Sequence, residues 1–248
     1  MNTTFVIGNG ESRRIFPIEQ LKGKGIIYGC NAIYRDYPEL CDKIFAVNDD
    51  MYQELLDAKS KNKFTADIIG PTNISDWNYT LPNDDLNYIP EGLKLYQRWQ
   101  GGDARRDIYK FRDFSKNRGS GCSAVLHAAE QGHKNICILG FDIVGARQWE
   151  MPEGETSRIQ NNIYANTPNY PTRFSMKAYM KYEWLYHLTQ IFRRFPETNF
   201  YFFNRREYID HNPYIRPYFR YAPGNIRVGI YADLMRYING ETIAWKIS

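Results

Sequence analysis

The chain has 248 residues, 43% of them hydrophobic, with a formal net charge of +4 and a pI near 8.7. That is enough apolar material for one large α/β domain spanning 1–248, and it excludes wholesale disorder. No apolar run reaches the roughly 18 to 20 residues of a membrane span. The start lacks the basic and apolar stretches of a secretory signal, and Cys30, Cys41, Cys122 and Cys137 show no Cys-x-x-Cys spacing, so a cytoplasmic chain with buried thiols is expected.

In chain order, the first predicted strand runs through Thr3 and Ile7 into Gly8-Asn9-Gly10-Glu11-Ser12. A strand, a glycine turn and a Ser that can cap a helix are the parts from which α/β folds build an anion site. The same parts also make an ordinary strand-to-helix corner. A short helical or irregular piece follows around Pro17. Gly25-Ile-Ile-Tyr-Gly-Cys-Asn31 and Lys43-Ile-Phe-Ala-Val-Asn48 are second and third short apolar runs, each closed by asparagine. Asp49 or Asp50 then caps a helix running to about Lys61. A fourth strand is predicted over 66–69. Short apolar runs separated by helices predict a Rossmann-like, mostly parallel sheet with helices on both faces.

From 71 to 118 the periodicity fades, and the segment reads as a loop-rich flap whose second half is basic, with Arg105, Arg106, Lys110, Arg112, Lys116 and Arg118. Order returns at Gly119-Ser-Gly-Cys-Ser123, which enters a predicted helix ended by Gly132, and 135–139 is a buried strand closed by Gly140-Phe-Asp142. The stretch 144–170 reads as a second loop-rich flap. A long amphipathic helix is predicted over about 173–195, a last core strand over 199–203, and a final helix near 230–238.

Ligands of open parallel sheets lie beyond the carboxyl ends of the strands. Asn9, Asn31 and Asn48 stand at three such ends, and an asparagine side chain both donates and accepts without carrying charge. With Ser120, Gly121 and Asp142 arriving at the same edge, these residues outline a polar rim of nucleotide size. Gly8, Gly10 and Ser12 complete the expected nucleotide-binding set. Asp142 is read either as a base or as a carboxylate that only orients loops or ribose. His127 and His187 read as packing residues inside helices, and His133 lies at a helix C-terminus, a favourable place for a cation. His211 falls in a predicted loop where acid–base work is feasible.

The set Gly8-Asn9-Gly10-Glu11-Ser12, Cys30-Asn31, Phe45-Ala-Val-Asn48, Ser120-Gly121 and Gly140-Phe-Asp142 resembles, in order and spacing, the bacterial single-domain sialyltransferases that use CMP-activated sugars. The resemblance covers roughly residues 4–145. It implies a nucleotide-sugar glycosyltransferase in which Asn9, Asn31, Asn48, Ser120 and Gly121 hold the donor nucleotide as a co-substrate, with no separate cofactor. Three departures stand out. Glu11 replaces the family's proline, 170–174 lacks its histidine base, and Val144 and Glu150 stand near the places of its two tyrosines. An arginine fork suits a diphosphate leaving group, so Arg147 points to a UDP- or GDP-sugar rather than the CMP-sugar that the resemblance implies, and all three stay in the donor set. Glu150 and Asp49 join Asp142 as possible bases. No Asp-x-Asp pair is present, so a metal-independent transfer is expected.

The acceptor is read less narrowly. Arg205, Arg206, Arg216, Arg220 and Arg227 alternate with Tyr208, Tyr214, Tyr218, Phe219 and Tyr221, a pattern that suits either sugar rings or nucleic acid. The residue usage is also similar to proteins of large tailed phages, which makes a hydroxymethylated pyrimidine in phage DNA an acceptor beside a glycan. A non-catalytic nucleotide-sequestering protein and a phosphotransferase are the readings from other classes. Self-association is left open.

Overall fold

The computed structural model describes residues 3–70, 119–142, 162–170, 180–211 and 224–245. Seven strands form one sheet: β1 (Thr3–Ile7), β2 (Ile26–Cys30), β3 (Lys43–Phe45), β4 (Asp67–Ile69), β5 (Asn135–Leu139), β6 (Asn199–Asn204) and β7 (Ile226–Ile230). The order is β4-β3-β2-β1-β5-β6-β7, and every pairing is parallel. The helices are α1 (Asp49–Ser60), α2 (Ser120–Glu130), α3 (Met180–Arg194), α4 (Arg206–His211) and α5 (Tyr231–Ile238). This is the expected α/β, Rossmann-like architecture. Among the described residues no helix is long and apolar enough to cross a membrane.

The strands are apolar on both sides because both faces are covered, and alternate residues serve different layers. Val6, Tyr28, Phe45, Ile136, Ile138, Phe200, Phe202 and Val228 pack with Val125 and Ala129 of α2 and Leu188 and Phe192 of α3. Phe5, Ile7, Ile27, Ile44, Leu139 and Phe203 pack the other face against Met51 and Leu55 of α1 and Leu234 and Ile238 of α5. All four cysteines are buried free thiols, and burial pushes Cys30 and Cys41 up to about 12.

Two predictions need correction. The turn after β1 enters a single 3-10 turn, Glu11–Ile15, whose N-cap is Gly10, so Ser12 caps nothing. Strand β7, read as irregular chain, pairs along β6 from Ile226 to Ile230. The flap 71–118, most of 144–170, the residues 171–179 where the long helix was expected to begin, and the tail 212–223 lie outside the described residues.

Candidate functional site

Strand β1 lies between β2 and β5, so the strand order reverses at the β1/β5 pair, and a ligand crevice is expected beyond the ends of those two strands. In this chain that crevice is closed by backbone. Gly8 N–H donates to the Leu139 carbonyl at 2.8 Å and Gly10 N–H to the Gly140 carbonyl at 2.7 Å. A Cβ at position 8 would stand 2.4 Å from the Gly140 oxygen, and one at position 10 would stand 2.4 Å from Asp142 Cγ. Gly140 itself has φ of +68°, a left-handed conformation that suits glycine. The contact between the two loops therefore accounts for the glycines.

Asp142 is the centre of this closed region. It is buried, its Oδ2 accepts the Ser12 N–H at 2.8 Å, and its Oδ1 accepts Asn204 Nδ2 at 3.2 Å. Burial pushes its carboxyl above the ordinary carboxylate range, while Ser12, Asn204 and the Arg205 guanidinium pull the other way. Arg205 reaches across to the Glu11 carbonyl at 2.5 Å. The Tyr231 hydroxyl accepts the Gly140 N–H at 3.2 Å and shares a 2.9 Å bond with Ser12 Oγ. Gly8, Gly10, Ser12 and Asp142 thus form one knot tying the ends of β1, β5 and β6 together. Asn204 and Tyr231 were missed in the sequence, although Asn204 ends its strand just as Asn9 and Asn31 do.

A second polar region lies toward β2 and β3. Ser120 begins α2, and its Oγ donates to Asn31 Oδ1 at 2.8 Å while accepting the Val47 N–H at 3.2 Å. One hydroxyl thereby joins the end of β2, the segment after β3 and the N-terminus of α2. Asn48, next to Val47, is exposed and is the N-cap of α1, yet its side chain makes no capping bond. Gly121 packs on Phe141, where an added Cβ would stand 2.7 Å from the ring. An α-helix leaves its first N–H groups without intrahelical partners, with a partial positive charge at that end. At α2 those groups stand at the carboxyl edge of the sheet.

Asn9 links the two regions. Its Nδ2 donates to the Cys30 carbonyl at 3.1 Å and to the Tyr170 hydroxyl at 2.7 Å, and its Oδ1 accepts from Arg13 Nη1 at 3.1 Å. Arg13 is buried and also donates to the Gly8 carbonyl and the Tyr164 hydroxyl. The segment 162–170 is fastened here by an isolated bridge between Gly10 and Asn162 and by the Ile163 N–H to the Asn9 carbonyl at 3.0 Å. The contacts of buried Arg13 and Tyr164 and of half-buried Tyr170 left no trace in the sequence, because the partners are remote in the chain.

The expected site residues therefore divide. Asn9, Asn31, Asn48, Ser120 and Gly121 gather along the rim, whereas Gly8, Gly10, Ser12 and Asp142 meet in the knot. Arg147 and Glu150 lie outside the described residues. His211 ends helix α4 instead of lying in a loop, and its side chain is outside the described part. His127 and His187 sit inside α2 and α3, as expected. Burial and then the Lys43 ammonium lower His127 to about 4 and push His133 down as well, so the helix end does not favour a cation at His133. No family model, no curated protein and no solved structure matches this chain.

Proposed function

We propose that this protein is a glycosyltransferase that moves a sugar from a CMP-, UDP- or GDP-activated donor to a hydroxyl acceptor. The observation that carries this reading is the Ser120 hydroxyl, which joins Asn31, the Asn48 segment and the start of α2 at the carboxyl edge of an all-parallel sheet. Uncharged amides beside a helix N-terminus suit ribose and phosphate together. The order of motifs shared with the CMP-sugar-dependent family supports the same reading.

Transfer of this kind needs a charge-stabilised leaving nucleotide and a base for the acceptor hydroxyl. Both oxygens of Asp142 are engaged inside the knot, which fits loop positioning. That leaves Asp49, Glu150 and His211 as the bases to test and Arg147 as the group to test at the leaving phosphate. The acceptor in this reading is a saccharide. The alternative of a modified base in DNA drew on phage-like residue usage and on the Arg–aromatic segment, which suits sugar rings as well; within it Arg205 braces the β1 turn and Tyr208 is buried, and 212–223 lie outside the described residues.

The engagement of Asp142 also favours a second reading, a nucleotide-binding protein without chemistry. A thermal-shift screen with CMP, UDP, GDP and their sugars tests the shared part: at least one should stabilise the chain, and stabilisation by none rejects both readings. Sugar released slowly from a bound donor then supports transfer, and its absence supports binding alone.

A further inference from the structure

The Tyr170 hydroxyl stands between two asparagines of the rim. It accepts Asn9 Nδ2 at 2.7 Å and the Ala32 N–H at 3.4 Å, and the Asn31 side chain also hydrogen-bonds it. Asn31 Oδ1 is taken by Ser120, so its amide nitrogen is the atom that serves the phenol. Three N–H groups thus converge on one oxygen that belongs to the protein itself. The second N–H of the Asn9 amide goes to the Cys30 carbonyl, and its Oδ1 accepts from Arg13. With Tyr170 in place, Asn9 has no donor left for a ligand.

The segment that carries this phenol is clasped from its outer side by polar contacts. Tyr164 is buried, but 165–170 are half-buried or exposed. Arg35 grips both oxygens of Glu54 at 2.6 and 2.7 Å, and it donates to Thr167 Oγ1 at 2.7 Å and to the Pro168 carbonyl at 3.0 Å. Asn169 Nδ2 donates to Glu54 Oε2 at 2.8 Å. Asn166 and Asn169 hold left-handed φ of +65° and +60°, a strain that release of the segment would relieve. A short segment with little buried apolar surface and an exposed polar clasp is of the kind that opens locally.

We propose that Tyr170 is a built-in plug, its hydroxyl occupying the place of a phosphate oxygen of the nucleotide. Binding requires residues 165–170 to swing away from Asn9 and Asn31, with Tyr164 as the fixed end. Three donors converging on one point suit an oxygen that carries negative charge, and the Arg13 guanidinium on Asn9 Oδ1 polarises that amide further. The phenol keeps these donors satisfied until a ligand arrives, which avoids the cost of unpaired N–H groups. A bound phosphate then takes over the same bonds. Apparent affinity therefore scales with the fraction of molecules in which the plug is out. The plug rests on the nucleotide reading of the rim given above.

Calorimetric titration of the full chain with CMP, UDP and GDP tests it. Tyr170→Phe deletes only the blocking oxygen, and it should bind the preferred nucleotide at least about fivefold more tightly than the parent. Asn169→Gly keeps the left-handed backbone but removes the clasp to Glu54, and it should tighten binding about two- to threefold. Equal affinity in all three chains overturns the plug and leaves the nucleotide reading standing. Weaker binding by Tyr170→Phe overturns it as well, because the hydroxyl would then be a contact to the ligand. Should Tyr170→Phe not fold, unchanged affinity in Asn169→Gly is enough to overturn the plug. Failure of every nucleotide with the parent and with both variants rejects the rim as a nucleotide site, and the plug falls with it.

Discussion

The knot beyond β1 and β5 and the rim beyond β2 and β3 use the same residue types at the same edge of one sheet. In the knot, Gly8, Gly10, Ser12, Asp142 and Asn204 hydrogen-bond or pack against one another, and Arg205 and Tyr231 fill the remaining valences. In the rim, Ser120 is bonded to Asn31 and Val47, while Asn48 is exposed without a capping bond. A strand-end glycine or asparagine thus has two available uses. It can complete the connection between neighbouring strands, or it can be left facing a ligand. The difference lies in whether the adjacent loop comes close enough to take up its hydrogen bonds.

The sharpest way to break this comparison is to force the knot open. Gly8→Ala places a methyl 2.4 Å from a backbone oxygen that has little room to move. It should cost at least about 3 kcal/mol, read as a lower urea midpoint with an unchanged slope. If Gly8→Ala kept full stability but lost the nucleotide shift, the glycine would belong to the ligand and the two regions would merge.

Asp142→Asn comes next, at about 2 kcal/mol, because an amide nitrogen must then face either the Ser12 N–H or the Asn204 amide. The variant also carries a pH signature. Burial holds the native carboxyl above its ordinary value, so the folded state takes up this proton at higher pH than the unfolded chain does. Stability from that proton is present in acid and is lost as pH rises through the native value. Asp142→Asn should remove that falling component from the stability–pH curve. An unchanged curve would show that Asp142 does not titrate as a buried group.

Strands β1 to β6 were legible because each is a short apolar run closed by Gly, Asn or Pro. Strand β7 was not, since Ile226-Arg-Val-Gly-Ile230 carries an arginine and a glycine and is held by edge pairing with β6. The rim was legible for a similar reason: asparagine after an apolar run is out of place in a strand, so its position advertises another use. The same signal was present at Phe203-Asn204 and went unread. What no local pattern could give is the division between knot and rim. That division depends on Arg13, Arg205, Tyr164, Tyr170 and Tyr231, whose partners include positions far away along the chain.

Asn31 separates backbone from side chain within the rim. Its φ of +51° is left-handed, so replacement by alanine would add strain of roughly 1–2 kcal/mol that has nothing to do with the ligand. Asn31→Gly keeps the conformation and deletes only the amide. It should cost about 1 kcal/mol through the lost Ser120 bond and abolish stabilisation by the preferred nucleotide in a thermal-shift titration. Full retention of that stabilisation would remove Asn31 from the binding set.

The smallest expected effect on folding is at Asn48. An N-cap asparagine is ordinarily worth about 1 kcal/mol because its side chain accepts from the first helical turn. Here no such bond is made, although the residue holds the N-cap position and its own carbonyl accepts the Tyr52 N–H at 2.9 Å. Asn48→Ala should therefore leave the unfolding midpoint within about 0.5 kcal/mol of the parent, while nucleotide affinity by calorimetry falls several-fold. A residue that is dispensable for the helix it begins and needed for the ligand it faces is what the rim, unlike the knot, should contain. A stability loss of the full capping value with unchanged affinity would place Asn48 with the structural asparagines instead.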